Sequence, residues 1–126
     1  MRTMRRFAML VALLLAAQCA GEPVGPRRSI VFFETDDAAL TPGGQQVVAQ
    51  VAAEALRFNP SKIIVEGRAD GGTPHDAALA DQRAAAVMRA LTAAGIDATK
   101  IEKRPSVPPP GWEGVAAHQA AITLMP

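Results

Sequence analysis

The 126 residues leave room for one domain of ordinary size, and nothing in their arrangement suggests two. Thirteen Lys and Arg against twelve Asp and Glu give a formal net charge of +1, which becomes −2 without the three arginines of residues 1–6; the remaining chain has no basic stripe, Arg27-Arg28 being the only basic pair near its start, which argues against nucleic acid as a partner. A single cysteine, Cys19, excludes an internal disulfide.

The chain opens with Arg2, Arg5 and Arg6, an uninterrupted apolar run from Phe7 to Ala17 and small residues behind it, the three-part pattern of a secretory signal over residues 1–20. The run is shorter than the roughly 20 residues that a membrane-spanning helix needs. Export and cleavage are therefore expected, leaving a domain of roughly 105 residues. Cys19 stands just after the run, one residue beyond it, and resembles the lipidation site of bacterial lipoproteins, with two departures in Leu15-Ala16-Ala17-Gln18-Cys19: Leu15 stands one place too far back, and Gln18 replaces a small residue. Acylation of Cys19 with two or three chains would anchor the protein firmly. Ala20 is not the Asp of an inner-membrane retention signal, so the anchored form is expected at the periplasmic face of the outer membrane; cleavage near Ala20 or Gly21 would instead give a soluble periplasmic protein.

Residues 21–28, with Pro23, Gly25 and Pro26, read as a linker that includes Arg27-Arg28, and residues 29–126 as the domain. Ser29 to Phe33 reads as a buried strand and Glu34 to Leu40 as a polar turn. Thr41-Pro42 is a helix start with Thr41 as N-cap. Val47, Val48, Val51, Ala52, Ala55, Leu56 and Phe58 then form one apolar stripe, and Asn59-Pro60 ends that helix. Lys62 to Val65 suits an interior strand. Thr73 and Asp76 form a variant capping box for a second helix, whose stripe is Ala77, Ala80, Ala84, Val87, Met88 and Leu91 and whose stop is Gly95. Strands are predicted over Thr99–Arg104 and Gln119–Leu124, separated by the proline-rich segment that carries Trp112. The order β-α-β-α-β-β predicts an α+β fold with two helices on one face of the sheet. A ferredoxin-like split fold has a similar count, and periodicity does not separate the two.

The chemistry concentrates where the second strand ends in Glu66-Gly67-Arg68-Ala69-Asp70 and the next helix carries Leu79-Ala80-Asp81-Gln82-Arg83-Ala84-Ala85-Ala86-Val87. A carboxylate can hold an ammonium and an arginine fork can hold a carboxylate, so Asp70 and Arg83 form a minimal pair for a zwitterion. The bland alternative is a structural ion pair, worth only about 0–1 kcal/mol at a surface. Gly71 and Gly72 would let backbone approach a ligand. Glu66, Gly67, Asp70, Leu79, Arg83, Ala84 and Val87 resemble the motif of the OmpA C-terminal domain and the peptidoglycan-associated lipoproteins, over about residues 30 to 104. The resemblance implies a two-layer OmpA-like sandwich, two helices on one mixed sheet, and a non-catalytic module. It also implies binding to the diaminopimelate of the peptidoglycan stem peptide, Asp70 on the ammonium and Arg83 on the carboxylate, with Asp76, Gly71 and Gly72 beside them.

Several positions depart from the family pattern. Arg68-Ala69 replaces His-Thr, Asp76 replaces Asn, Ala80 stands for Ser or Gly, and the loop from Asp70 to Asp76 is two residues short. His118-Gln119-Ala120 stands where relatives carry Asn-Arg-Arg, which removes a ligand-facing arginine. These departures leave open a degenerate domain that binds another envelope protein, with the Trp112 loop as one contact surface. His75 and His118 read as exposed loop residues without metal-ligand spacing. Glu34 and Asp36-Asp37 read as a solvated turn. No cofactor is expected, and no nucleophile and base assemble into a hydrolase.

Overall fold

The computed structural model describes residues 25–71, 73–105 and 117–126. The predicted signal, Cys19, Gly72 and the Trp112 segment lie outside these residues.

Strand β1 (Arg27–Phe32) starts two residues earlier than the predicted strand at Ser29. Arg27 and Arg28 pair with Leu124 and Thr123, which places them in the sheet and corrects their reading as linker. The Arg27 guanidinium sits 4.1 Å from the centroid of the Phe58 ring, a cation–π contact that keeps the charge wet and the stem covered.

Helix α1 (Pro42–Phe58) starts as its sequence dictates: the Thr41 hydroxyl accepts from the Gly44 N–H at 3.0 Å, and Pro42 occupies the first turn. It ends at Asn59, which takes the left-handed conformation at φ 48° ahead of Pro60. Strand β2 (Lys62–Gly67) is followed by helix α2 (Pro74–Ala93), whose N-terminus is a complete capping box. The Thr73 hydroxyl takes the Asp76 N–H, and Asp76 Oδ2 takes both the Thr73 N–H and the Thr73 hydroxyl. Thr73→Ala is expected to lower stability by about 1 kcal/mol, read as a lower thermal midpoint. A single 3₁₀ turn over Ala98–Lys100 precedes β3 (Ile101–Pro105), and β4 (Gln119–Met125) ends the domain.

The sheet runs β1-β4-β2-β3, with β4 antiparallel to both β1 and β2 and with β2 parallel to β3. Helix α2 lies between β2 and β3, which excludes the β-α-β-β-α-β split arrangement, whose second and third strands are consecutive. Both helices cover one face. Val31, Ile63, Val65, Ile122 and Leu124 from the sheet meet Val48, Val51 and Ala55 of α1 and Ala84, Val87 and Leu91 of α2 in a single core. Small residues bring α2 very close to β2: a Cβ on Gly67 would lie 1.9 Å from the Ala80 carbonyl oxygen.

Candidate functional site

The C-terminal ends of β1 and β2 and the start of β4 lie at one pole of the sheet, because Phe32 and Gly67 pair with Gln119 and Ala120. The loops that leave these ends, together with the first turn of α2, gather most of the polar chemistry singled out in the sequence. Crevices outside the carboxyl ends of strands are where open α/β sheets bind ligands.

Arg83 lies ten residues into α2, yet its side chain reaches this pole, because helical side chains lean toward the N-terminus. It is completely buried. Its guanidinium is engaged by backbone: Nε–H donates to the Asp37 carbonyl at 2.8 Å, Nη1 to the carbonyls of Arg68 at 2.8 Å and Ala117 at 3.3 Å, and Nη2 to that of Glu34 at 3.1 Å. The Phe33 ring lies 5.4 Å from the guanidinium carbon. One residue thus ties together three segments that are distant in sequence. Burial pushes the guanidinium below its ordinary pKa, while the carboxylates of Asp70, Asp36 and Asp37 pull it up. It remains a cation, since a guanidinium does not deprotonate in proteins. Four of its five N–H groups are taken, leaving one Nη2 hydrogen without an acceptor among the described residues.

Asp70 is half exposed beside this buried charge. Its Oδ2 is paired with His118 Nε2 at 2.9 Å, and Gly71 next to it takes the left-handed conformation at φ 67°. His118 is mostly covered, and its own carbonyl takes the Phe33 N–H at 2.8 Å, so it is a member of the site rather than an exposed loop residue. The partner that fixes it is 48 residues away in sequence.

Asp76 sits beside this pair, with its Oδ2 committed to the capping box, whose Thr73 hydroxyl holds the carboxyl below its ordinary pKa. A carboxylate lowered in this way contributes stability above its ordinary value of 3.8, lost as pH falls through the lowered one. The same box occupies the N–H groups of Thr73 and Asp76, so the helix N-terminus offers an anion less than the bare sequence suggests.

His75 is exposed as expected, but its Nε2 bonds Asp36 Oδ1 at 2.7 Å and links the β1–α1 loop to α2. The Asp36 hydrogen bond, and then its charge, raise the imidazole above 6.5. This tie is complete below pH 6.5 and is lost as pH rises through the raised value.

Five carboxylates, Glu34, Asp36, Asp37, Asp70 and Asp76, face two arginines here, Arg68 and Arg83, both buried. The surface field at this pole therefore favours a cationic group. Among the described residues no group of three or more His, Cys, Asp or Glu could hold a metal. Two concavities of about 200 and 230 Å³ lie at the other pole, lined by Phe58, Leu124 and Pro126 and by Leu56, Ile96 and Lys100. They contain none of the converging polar groups, so the candidate site is placed at the charged pole. No helix among the described residues is long and apolar enough to cross a membrane.

Residues 32–112 match the model of the OmpA family. The chain is 36% identical over 72 residues to outer membrane protein A of Bordetella avium, a match covering 56% of this chain and only 37% of that protein. Among solved structures it is similar to the OmpA-like domain of FopA1 from Francisella tularensis, with a TM-score of 0.70 and 20% identity over 79% of this chain and 71% of that one. The peptidoglycan-associated lipoprotein of Burkholderia pseudomallei gives a TM-score of 0.64 and 23% identity, over 75% of this chain and 87% of the other. The cell wall anchor of the type VI secretion system of Pseudomonas aeruginosa gives 0.62 and 21%, over 94% and 95%.

Proposed function

Because the chain belongs to the OmpA family, we propose that it is a non-catalytic envelope module that binds peptidoglycan through the zwitterionic centre of diaminopimelate in the stem peptide. The supporting observation is the placement of the half-exposed Asp70 carboxylate beside the buried Arg83 cation, at the pole where the sheet's strand ends open. Asp70 takes the ammonium. Arg83 supplies positive charge beneath the ligand's carboxylate and keeps one Nη2 hydrogen for it, while its other donors hold the loops in place. Gly71 and Gly72 give the loop close backbone approach, and Asp76 sets the start of α2 beside it. Acylation at Cys19 would make the module a tether between outer membrane and wall; without it the module would act as a soluble periplasmic protein.

The expected result is co-sedimentation of the purified chain with peptidoglycan sacculi containing diaminopimelate, competed by free diaminopimelate. Asp70→Asn, isosteric and on a half-exposed side chain, is expected to weaken binding about tenfold or more, the worth of a hydrogen bond to a charged group. No sedimentation of the unsubstituted chain would overturn the reading.

A second reading has its own observation. Four of the five Arg83 donors are spent on backbone, as expected of a degenerate domain that keeps the fold and binds an envelope protein instead. Retained sedimentation after Asp70→Asn combined with no competition by diaminopimelate would favour it.

A further inference from the structure

The pairing of His118 with Asp70 places an imidazole on the very oxygen pair that would receive an ammonium. Facing a carboxylate, Nε2 must carry a proton and donate it, so the neutral ring is held in one tautomer with Nδ1 unprotonated. The hydrogen bond uses Oδ2 and leaves Oδ1 for a further donor on a side chain that is half open to solvent. The backbone that carries the ring is fixed as well. The His118 carbonyl is bonded by the Phe33 N–H at 2.8 Å, and the carbonyl before it, that of Ala117, by Arg83 Nη1.

The other charged groups on the surrounding elements are Arg68 on the β2–α2 loop, Asp76 and Arg83 on α2, and Glu34 and Asp37 on the β1–α1 loop; Arg83 holds the carbonyls of Arg68, Glu34 and Asp37, and the Asp76 carboxylate is held by Thr73. Among side chains imidazole is the one whose charge ordinarily changes within the physiological pH range. The one other imidazole at this pole, His75, is engaged by Asp36 of the β1–α1 loop.

We propose that His118 is a positioning residue that gates the Asp70 carboxylate: neutral, it orients the carboxylate toward a ligand ammonium, and protonated, it cancels the carboxylate's charge and disfavours that ammonium. The inference rests on the wall-binding reading and adds to it a dependence on acidity. Among groups that occupy one carboxylate, a protonated imidazole and a ligand ammonium are competitors for the same negative charge. The domain would therefore hold the wall more weakly in acid.

The test is sedimentation of the full chain with diaminopimelate-containing sacculi between pH 5 and pH 8, for the unsubstituted protein, His118→Asn and His75→Asn. Asparagine keeps an N–H donor near Asp70 but does not titrate. The unsubstituted chain and His75→Asn are expected to bind about fivefold more weakly at pH 5.5 than at pH 7.5, the scale of an exposed charge pair. His118→Asn is expected to bind with a flat profile. NMR of the imidazole ring supplies a readout that does not need the wall: the His118 ring signals are expected to move in Asp70→Asn, which changes the partner bonded to Nε2. A pH profile unchanged by His118→Asn, or His118 ring signals unmoved by Asp70→Asn, would overturn the gate and leave wall binding standing. No sedimentation of the unsubstituted chain at any pH would overturn both.

Discussion

Arg83→Ala is expected to destabilise the domain by about 3–5 kcal/mol, the cost of stripping a fully hydrogen-bonded buried group from its partners. The four carbonyls it serves come from Glu34, Asp37, Arg68 and Ala117, and the alanine leaves a void between them. Urea denaturation followed by circular dichroism would measure the loss as a lower midpoint at similar slope. Arg83→Lys is expected to recover only a minor part, because an ammonium has three donors at one point, while the guanidinium spreads five across a plane and here serves carbonyls on three separate segments. A near-neutral Arg83→Ala would show that water can take the place of the fork and that the three segments hold each other without it. Loss of wall binding in an Arg83 variant is consequently no measure of ligand contact, and Asp70→Asn is the cleaner probe.

Gly67→Ala is expected to be nearly as damaging. The added Cβ would sit 1.9 Å from the Ala80 carbonyl oxygen and 3.0 Å from the Ala84 N. The obstacle is the backbone of α2, so no side-chain rotation relieves it, and the helix must lift away from β2. Overpacking of this kind costs about 3 kcal/mol, which for a domain of this size lowers the thermal midpoint by on the order of 10–20 °C. The helix so displaced carries Arg83, so the same substitution is expected to loosen the loops at the charged pole. Ala80→Gly is not expected to rescue it, since the clashing atom belongs to the backbone.

The elements were legible where a local rule writes them. Thr41-Pro42, Asn59-Pro60 and the Thr73…Asp76 box mark helix ends that the structure reproduces. The start of β1 was not, because Arg27 and Arg28 join the sheet only through pairing with Leu124 and Thr123, nearly a hundred residues on. Arg83 shows a subtler limit. Its position on the buried stripe, between Ala80 and Val87, already demanded partners, since an interior cation without them is untenable. Those partners are carbonyl oxygens, which every residue has, so no side-chain pattern could name Glu34, Asp37, Arg68 and Ala117. His118 lacked even that hint: one histidine in a loop, its carboxylate 48 residues upstream.

The strand that completes the sheet is the last of the described strands in chain order. β4 lies between β1 and β2, so until residue 119 and those after it are available, β1 has no sheet partner and β2 only β3. A nascent chain of this topology closes late, with its slowest contacts linking its two ends. If residues 1–20 direct export, that delay is an advantage. Threading through a translocon requires an unfolded chain, and this one postpones its own closure until β4 has followed the other three strands. Shortening it by its final strand would remove seven residues and leave the sheet as two unconnected fragments.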